Sequence, residues 1–223
     1  MHLVYLHGFA SSANSSKARW FADRLAGLGL TLWRPDFNEP AFETLTVTRM
    51  LDQVATLIAG LPPGPVALFG SSLGAFVAWH AAATQSTAAR ATHPIEKLVL
   101  LAPALDFGAN RLRDLGDRGL AEWQATDRLE VYHYGDKEPR FVHYALYEDA
   151  RRYQSDAAVV SVPGLVFQGA SDESVDPEGV RRFVSTRPHM TLHMLDDDHQ
   201  LLASLDTIWR ETVVFLGLPS TAP

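Results

Sequence analysis

The sequence contains no cysteine. Disulfide staples, thiolate metal sites and a cysteine nucleophile are therefore excluded. Long apolar runs are also missing, and none approaches the ~20 residues a membrane-spanning helix needs. The start of the chain shows no basic segment, extended apolar stretch and small-residue cleavage site in succession, so no secretory leader is expected and the expected location is the cytoplasm. Positive charge is scarce: Lys and Arg number 19 against 26 Asp and Glu, giving a net charge of −7. No basic stripe appears, which argues against nucleic acid and anionic membranes as partners. Internal repeats and low-complexity tracts are absent as well. What remains is 223 residues, 47% of them hydrophobic, enough for one domain over residues 1–223 with a sizeable core.

Short apolar runs alternate with segments of helical periodicity. His2 to Leu6, Leu30 to Arg34, Val66 to Phe69, Ile95 to Leu101, Pro163 to Phe167 and Met190 to Leu195 read as strands. Between and after them, Ser15 to Leu28, Phe42 to Ala59, Ala75 to Ala83, Pro177 to Ser185 and Leu201 to Leu216 read as helices. Asp176 precedes Pro177 and reads as a helix N-cap. Strands that alternate with helices predict a mostly parallel sheet of about six strands with helices on both faces. Residues from about Asp106 to Asp156 break the rhythm and read as an insertion. Five of the six tyrosines lie there (Tyr132, Tyr134, Tyr144, Tyr147 and Tyr153), together with Trp123 and Phe141. These aromatics either pack the insertion onto the body or form a small lid that walls a substrate pocket.

Gly70-Ser71-Ser72-Leu73-Gly74 spells G-x-S-x-G between a predicted strand and a predicted helix. That context suits a nucleophile elbow, where a sharp turn exposes a serine hydroxyl and crowding at the turn demands small neighbours. A serine hydroxyl needs a base, and the base is usually a histidine oriented by a carboxylate. Their expected chain order is Ser, then Asp or Glu, then His. Asp172 follows the next-to-last strand, with Glu173 and Asp176 as competitors. His199 follows the last strand, after three aspartates. Ligands for a metal site at sensible spacing are not found around His199. Two backbone amides would complete an oxyanion hole: that of Leu73, after the nucleophile, and that of Phe9, after the first strand. Gly8 lets backbone approach a substrate there, and His7 is expected to hold this loop by hydrogen bonds rather than to act as a base.

With strand, elbow, acid and base in this order, the chain resembles the α/β-hydrolase superfamily over nearly its whole length. The segment Tyr5-Leu6-His7-Gly8-Phe9-Ala10-Ser11-Ser12, followed by Ser16-Lys17-Ala18, is similar to the small bacterial YqiA-type esterases of the UPF0227 group. So are the elbow and the run Asp172-Glu173-Ser174-Val175-Asp176. A proline commonly follows the Ser-Ser pair in that group, and Ala13 stands there in this chain. The resemblance implies a compact hydrolase acting on a small-molecule acyl ester or thioester, with no cofactor. A carbon–carbon bond hydrolase or a peptidase can use the same three side chains, and the same fold also serves non-catalytic ligand-binding proteins. A coenzyme A thioester would favour a basic patch at the pocket mouth. Arg111, Arg113, Arg118, Arg151 and Arg152 are the residues available for one, and solvated surface is their alternative reading.

Overall fold

The computed structural model describes residues 1–108 and 115–219. Six strands form one parallel sheet: β1 (His2–Leu6), β2 (Leu32–Trp33), β3 (Val66–Ser71), β4 (Ile95–Leu101), β7 (Gly164–Gly169) and β8 (Met190–Leu195). Their spatial order is β2-β1-β3-β4-β7-β8. Every neighbouring pair is parallel. Successive residues of a strand point to opposite faces, and the two faces bury separate cores. Val4, Leu6, Leu68, Leu98, Leu100 and Val166 face one core. Leu3, Tyr5, Phe69, Val99, Leu101, Leu165 and Phe167 face the other.

On the first face lie α2 (Val47–Ala59), α3 (Leu73–Thr84) and α7 (Pro177–Ser185), and on the second lie α1 (Ser16–Ala26) and α8 (Leu205–Leu216). Helix α3 is buried on every side from Leu73 to Ala82, which explains why its sequence carries no polar face. A short α4 (Thr87–Thr92) leads into β4.

Between β4 and β7 the chain forms α5 (Gly116–Thr126), an antiparallel hairpin of β5 (Leu129–His133) and β6 (Glu138–Val142), and α6 (Ala145–Ala150). The hairpin was not anticipated from the sequence. Its strands are short and polar on one side. Trp123 is buried, donates its indole N–H to the Val142 carbonyl at 2.9 Å, and packs against Tyr144 and Tyr147. Asp149 of α6 accepts from the Thr48 amide at 2.7 Å and the Thr48 hydroxyl at 2.6 Å, which ties α6 to the first turn of α2. Tyr132 and Tyr134 stay exposed, in edge-on contact with each other.

Two predicted helices begin later than their apolar spacing suggests. The stretch expected as one helix from Phe42 is a single 3-10 turn (Phe42–Thr44) followed by α2. Thr46 takes an extended conformation and caps α2, its hydroxyl accepting from the Arg49 amide at 3.1 Å. The last helix begins at Leu205 rather than Leu201, because residues 197–204 form the loop that carries His199.

Candidate active site

Strand β3 ends at Ser71 and α3 begins at Leu73, so Ser72 alone makes the turn between them. Its backbone sits at φ 54° and ψ −115°, a region that costs a non-glycine residue about 1–3 kcal/mol. Four main-chain bonds hold it there: the Ser72 amide donates to Leu101, and its carbonyl accepts from Ala75, Phe76 and Ala104. The flanking glycines are needed sterically. A Cβ at Gly70 would collide with the backbone of Gly74 and Ala75, and one at Gly74 would collide with the carbonyl of Leu6.

The structure brings Ser72, His199 and Asp172 into one hydrogen-bonded line. His199 Nε2 lies 3.1 Å from Ser72 Oγ, and His199 Nδ1 lies 2.8 Å from Asp172 Oδ2. The Asp172 side chain is fully buried and the His199 side chain is 20% exposed. Both loops leave the C-terminal ends of adjacent strands, β7 and β8. Gly169 allows the second to close over the first, because a Cβ there would strike the carbonyls of Asp197 and Asp198.

Asp172 accepts more than the bond from His199. Its Oδ1 takes the amides of Ser174 at 2.8 Å and Val175 at 2.9 Å, and its Oδ2 also takes Gln168 Nε2 at 2.8 Å. Burial pushes this carboxyl up. The bonds from His199, the Val175 amide and Gln168, with the charge His199 can carry, outweigh burial and hold it below the usual carboxylate range. Glu173 and Asp176 are placed differently. Glu173 is exposed, and Asp176 caps α7 by accepting from the Glu178 and Gly179 amides at 3.0 Å each.

Before Ser72 in sequence, the His7–Phe9 segment runs beside it. A Cβ at Gly8 would come within 3.4 Å of the Ser72 Cβ. His7 is buried and bonds away from Ser72. Its Nε2 accepts from the Phe37 amide at 2.9 Å while its Nδ1 meets the Gly8 carbonyl at 2.9 Å. Its Nε2 also lies 3.2 Å from Asp36 Oδ1, so the imidazole ties this loop to the chain after β2. Leu73 is the first residue of α3, so its amide has no acceptor within the helix. No main-chain hydrogen bond among the described residues uses the Phe9 amide.

A cleft of about 960 Å³ opens over Ser72 and His199. Phe9, Phe107 and Val175 give it apolar wall, while Ser11, Ser12, Ser15 and Ser16 supply hydroxyls. Tyr132 and Tyr134 of the β5–β6 hairpin stand on its far side. The aromatics between β4 and β7 thus divide, with Trp123, Tyr144 and Tyr147 packing that segment and Tyr132 and Tyr134 facing the cleft. No carboxylate lines the cleft among the described residues, and its cations are Lys17, Arg19 and Lys137. Of the arginines singled out from the sequence, the three that are described lie elsewhere. Arg118 is outside the lining, Arg151 stacks on Tyr147 and Arg152 pairs with Asp149. Arg111 and Arg113 fall outside the described residues. Sequence reasoning passed over two site residues, Gln168 and Lys17. Gln168 left a signal, as a polar residue at the end of an apolar strand that needs a partner when buried.

Comparison with known proteins agrees with this fold. No curated protein matches the sequence. Among solved structures, a protein of Agrobacterium vitis S4 superposes with a TM-score of 0.81 at 24% identity, covering 96% of this chain and 87% of its own. Est1E of Butyrivibrio proteoclasticus, solved with ferulic acid bound, gives 0.76 at 19% identity over 97% and 90%. Mouse alpha/beta hydrolase domain-containing protein 10 gives 0.74 at 19% identity over 98% and 90%. These likenesses carry the fold. The fold is that of the α/β hydrolases; residues 2–215 match the uncharacterised protein family UPF0227, and the chain belongs to that family.

Proposed function

We propose that this chain is a serine hydrolase that cleaves a carboxylic ester or thioester through an acyl-enzyme on Ser72. The hydrogen-bonded line from Ser72 Oγ through His199 to buried Asp172 carries the reading. Ser72 Oγ attacks the substrate carbonyl carbon while His199 Nε2 takes its proton. Asp172 holds the imidazole with Nδ1–H directed at itself, so Nε2 is free to accept, and it stabilises the imidazolium that forms. The carbonyl oxygen gains negative charge within reach of the Leu73 and Phe9 amides. Collapse of this adduct expels the alcohol or thiol, which leaves with the proton from His199. Water then gives its proton to His199, attacks the acyl carbon and releases the carboxylic acid, restoring Ser72.

The cleft is near the upper end of the range for small-molecule sites, which supports a substrate with a substantial group on at least one side of the scissile bond. That Est1E has been solved with ferulic acid bound is in keeping with an ester-derived carboxylic acid as product. A fluorophosphonate probe tests the proposal directly. Wild type labels, and labelling disappears in Ser72→Ala. A folded wild-type protein that does not label refutes it.

A further inference from the structure

Lys17 occupies a position that lysine normally avoids. It lies in the first turn of α1 and is only 7% exposed. Lysine is almost never buried unless paired, and a cation in the first helical turn opposes the helix dipole. Something at this site must offset both costs. The Lys17 ammonium donates to the carbonyl of Gln200 at 2.8 Å, the residue that follows His199. The contact spans 183 positions of sequence and joins α1 to the loop after β8.

The rest of that loop is fastened from the other side. The Asp197 carbonyl accepts from the Ser171 amide at 3.1 Å, and the Asp198 carboxylate accepts from the Gln200 amide at 2.7 Å. Asp197 also accepts from the Ser204 amide at 2.9 Å. Leu201 takes φ 55°, so the chain turns sharply just after the contact. His199 therefore sits between an anchor on the β7 end and one on α1. We infer that Lys17 is a positioning residue: its ammonium, reaching from α1 to the Gln200 carbonyl, holds His199 in line with Ser72. The inference rests on the serine-hydrolase reading above.

The charges around Lys17 fit this role. Asp197 and Asp198 come from the loop after β8 and Asp172 from the loop after β7, and all three favour the ammonium form. Tyr5 of β1 lines the same cleft; burial pushes its hydroxyl up, so it stays neutral. Arg19, on the same helix as Lys17, lines the cleft too. Burial lowers Lys17 to about 8 against the pull of the aspartates. Its charge is then present below that pH and is lost as the pH rises through it, still far below the ordinary lysine range. The amine left behind is a weaker donor to Gln200, and it no longer balances the carboxylates beside His199.

Lys17→Met, with its unbranched apolar side chain, separates positioning from substrate binding. Hydrolysis of p-nitrophenyl butyrate is expected to lose at least roughly tenfold in kcat, as misplacement of a reacting group does, with KM within about twofold. Wild-type kcat is expected to fall in the alkaline range with a midpoint of about 8, and the variant to lack that limb. A folded Lys17→Met protein with kcat within about twofold of wild type overturns the inference. If the variant does not fold, the wild-type profile decides, and a kcat that stays level through this range overturns it equally. Fluorophosphonate labelling keeps the two readings apart. Wild type that never labels refutes the triad and the role of Lys17 together. Wild type that labels, alongside a Lys17→Met protein that labels just as fast, refutes Lys17 alone.

Discussion

Replacing Asp172 by Asn keeps the shape of the side chain and reverses part of its hydrogen bonding. The carboxylate accepts from four groups: the Ser174 and Val175 amides at Oδ1, and Gln168 and His199 at Oδ2. An asparagine has one oxygen and one NH2 group. The two backbone donors cannot turn away, so its oxygen must stay with them. Its NH2 then faces His199 Nδ1 and Gln168 Nε2, both placed as donors. Gln168 can exchange its own amide ends. His199 can answer only by giving up the Nδ1 proton, which moves the proton to Nε2 and aims it at Ser72 Oγ. A base in that tautomer cannot accept from serine. The same exchange in serine proteases costs about 10⁴ in kcat, and a loss of about 10³ to 10⁴ is expected here. Mismatched donors at a buried site cost about 1–3 kcal/mol, which for a domain of this size lowers Tm by roughly 2–12 °C. Steady-state hydrolysis of p-nitrophenyl butyrate with thermal unfolding on the same sample separates the two effects. Glu173→Gln and Asp176→Asn serve as controls and should remain close to wild type, since Asn caps a helix about as well as Asp. Folded Asp172→Asn protein that keeps more than about a tenth of wild-type kcat refutes the assignment. The pH dependence has a definite sign too. Asp172 is held below the usual carboxylate range, so its contribution to stability is full above that range and is lost as pH falls through it. Acid unfolding of the Asn variant should therefore show a shallower dependence on pH.

Gly74→Ala puts a methyl group onto the Leu6 carbonyl; it should yield insoluble protein or a Tm far below wild type, and a Tm within a few degrees would show that the elbow can widen. His80 is buried on α3 and held down to about 4 by burial, so it folds as the neutral form. Stability should be fully present above the ordinary histidine range and fall as pH drops from there towards 4, by about 3 kcal/mol at the limit. His80→Leu should lose less stability than wild type between neutral pH and pH ~4 in urea titrations, and parallel losses would refute the assignment. Tyr134, 71% exposed at the cleft, contributes little to stability. Tyr134→Ala should leave Tm and kcat unchanged while raising KM for bulky esters several-fold, and a Tm drop without a KM change would assign it to packing instead.

The sheet was legible because burial on both faces forces continuous apolar strands. Val66 to Phe69 and Leu98 to Leu101 have no polar interruption that could be read another way. The sites for Asp172 and His199 were legible because parallel strands put functional loops at one edge, in a known chain order. Competing features were harder to weigh. Phe42 and Leu45 keep the helical spacing of α2, but Thr46 can satisfy the Arg49 amide with its own hydroxyl, and a local bond of that kind ends a helix without disturbing apolar periodicity. Leu201 likewise sits on the apolar spacing of α8 while its backbone is spent turning the His199 loop. The β5–β6 hairpin, with only His133 and Val142 fully buried along it, gives a weak alternation. The contact made by Lys17 left no local trace, because its partner is 183 positions away. The cations of the cleft were missed for the same reason: chain proximity to the β4–β7 segment says nothing about which arginine faces the opening.

The adjacency of β4 and β7 has a consequence for how such a chain can diversify. These two strands pair directly, Leu98 with Gly164 through Leu101 with Phe167, so the chain between them leaves and returns at nearly fixed points. Lengthening a connection adds closure entropy only slowly, about 0.6 kcal/mol per doubling. Everything from α5 to α6 can therefore be exchanged as a cassette while the strands bearing Ser72, Asp172 and His199 keep their register. Tyr132 and Tyr134 belong to the cassette, and the serine, acid and base belong to the frame. The walls of the cleft can change in one without moving Ser72, Asp172 or His199 in the other, which makes this segment the place to graft when a differently shaped cleft is wanted.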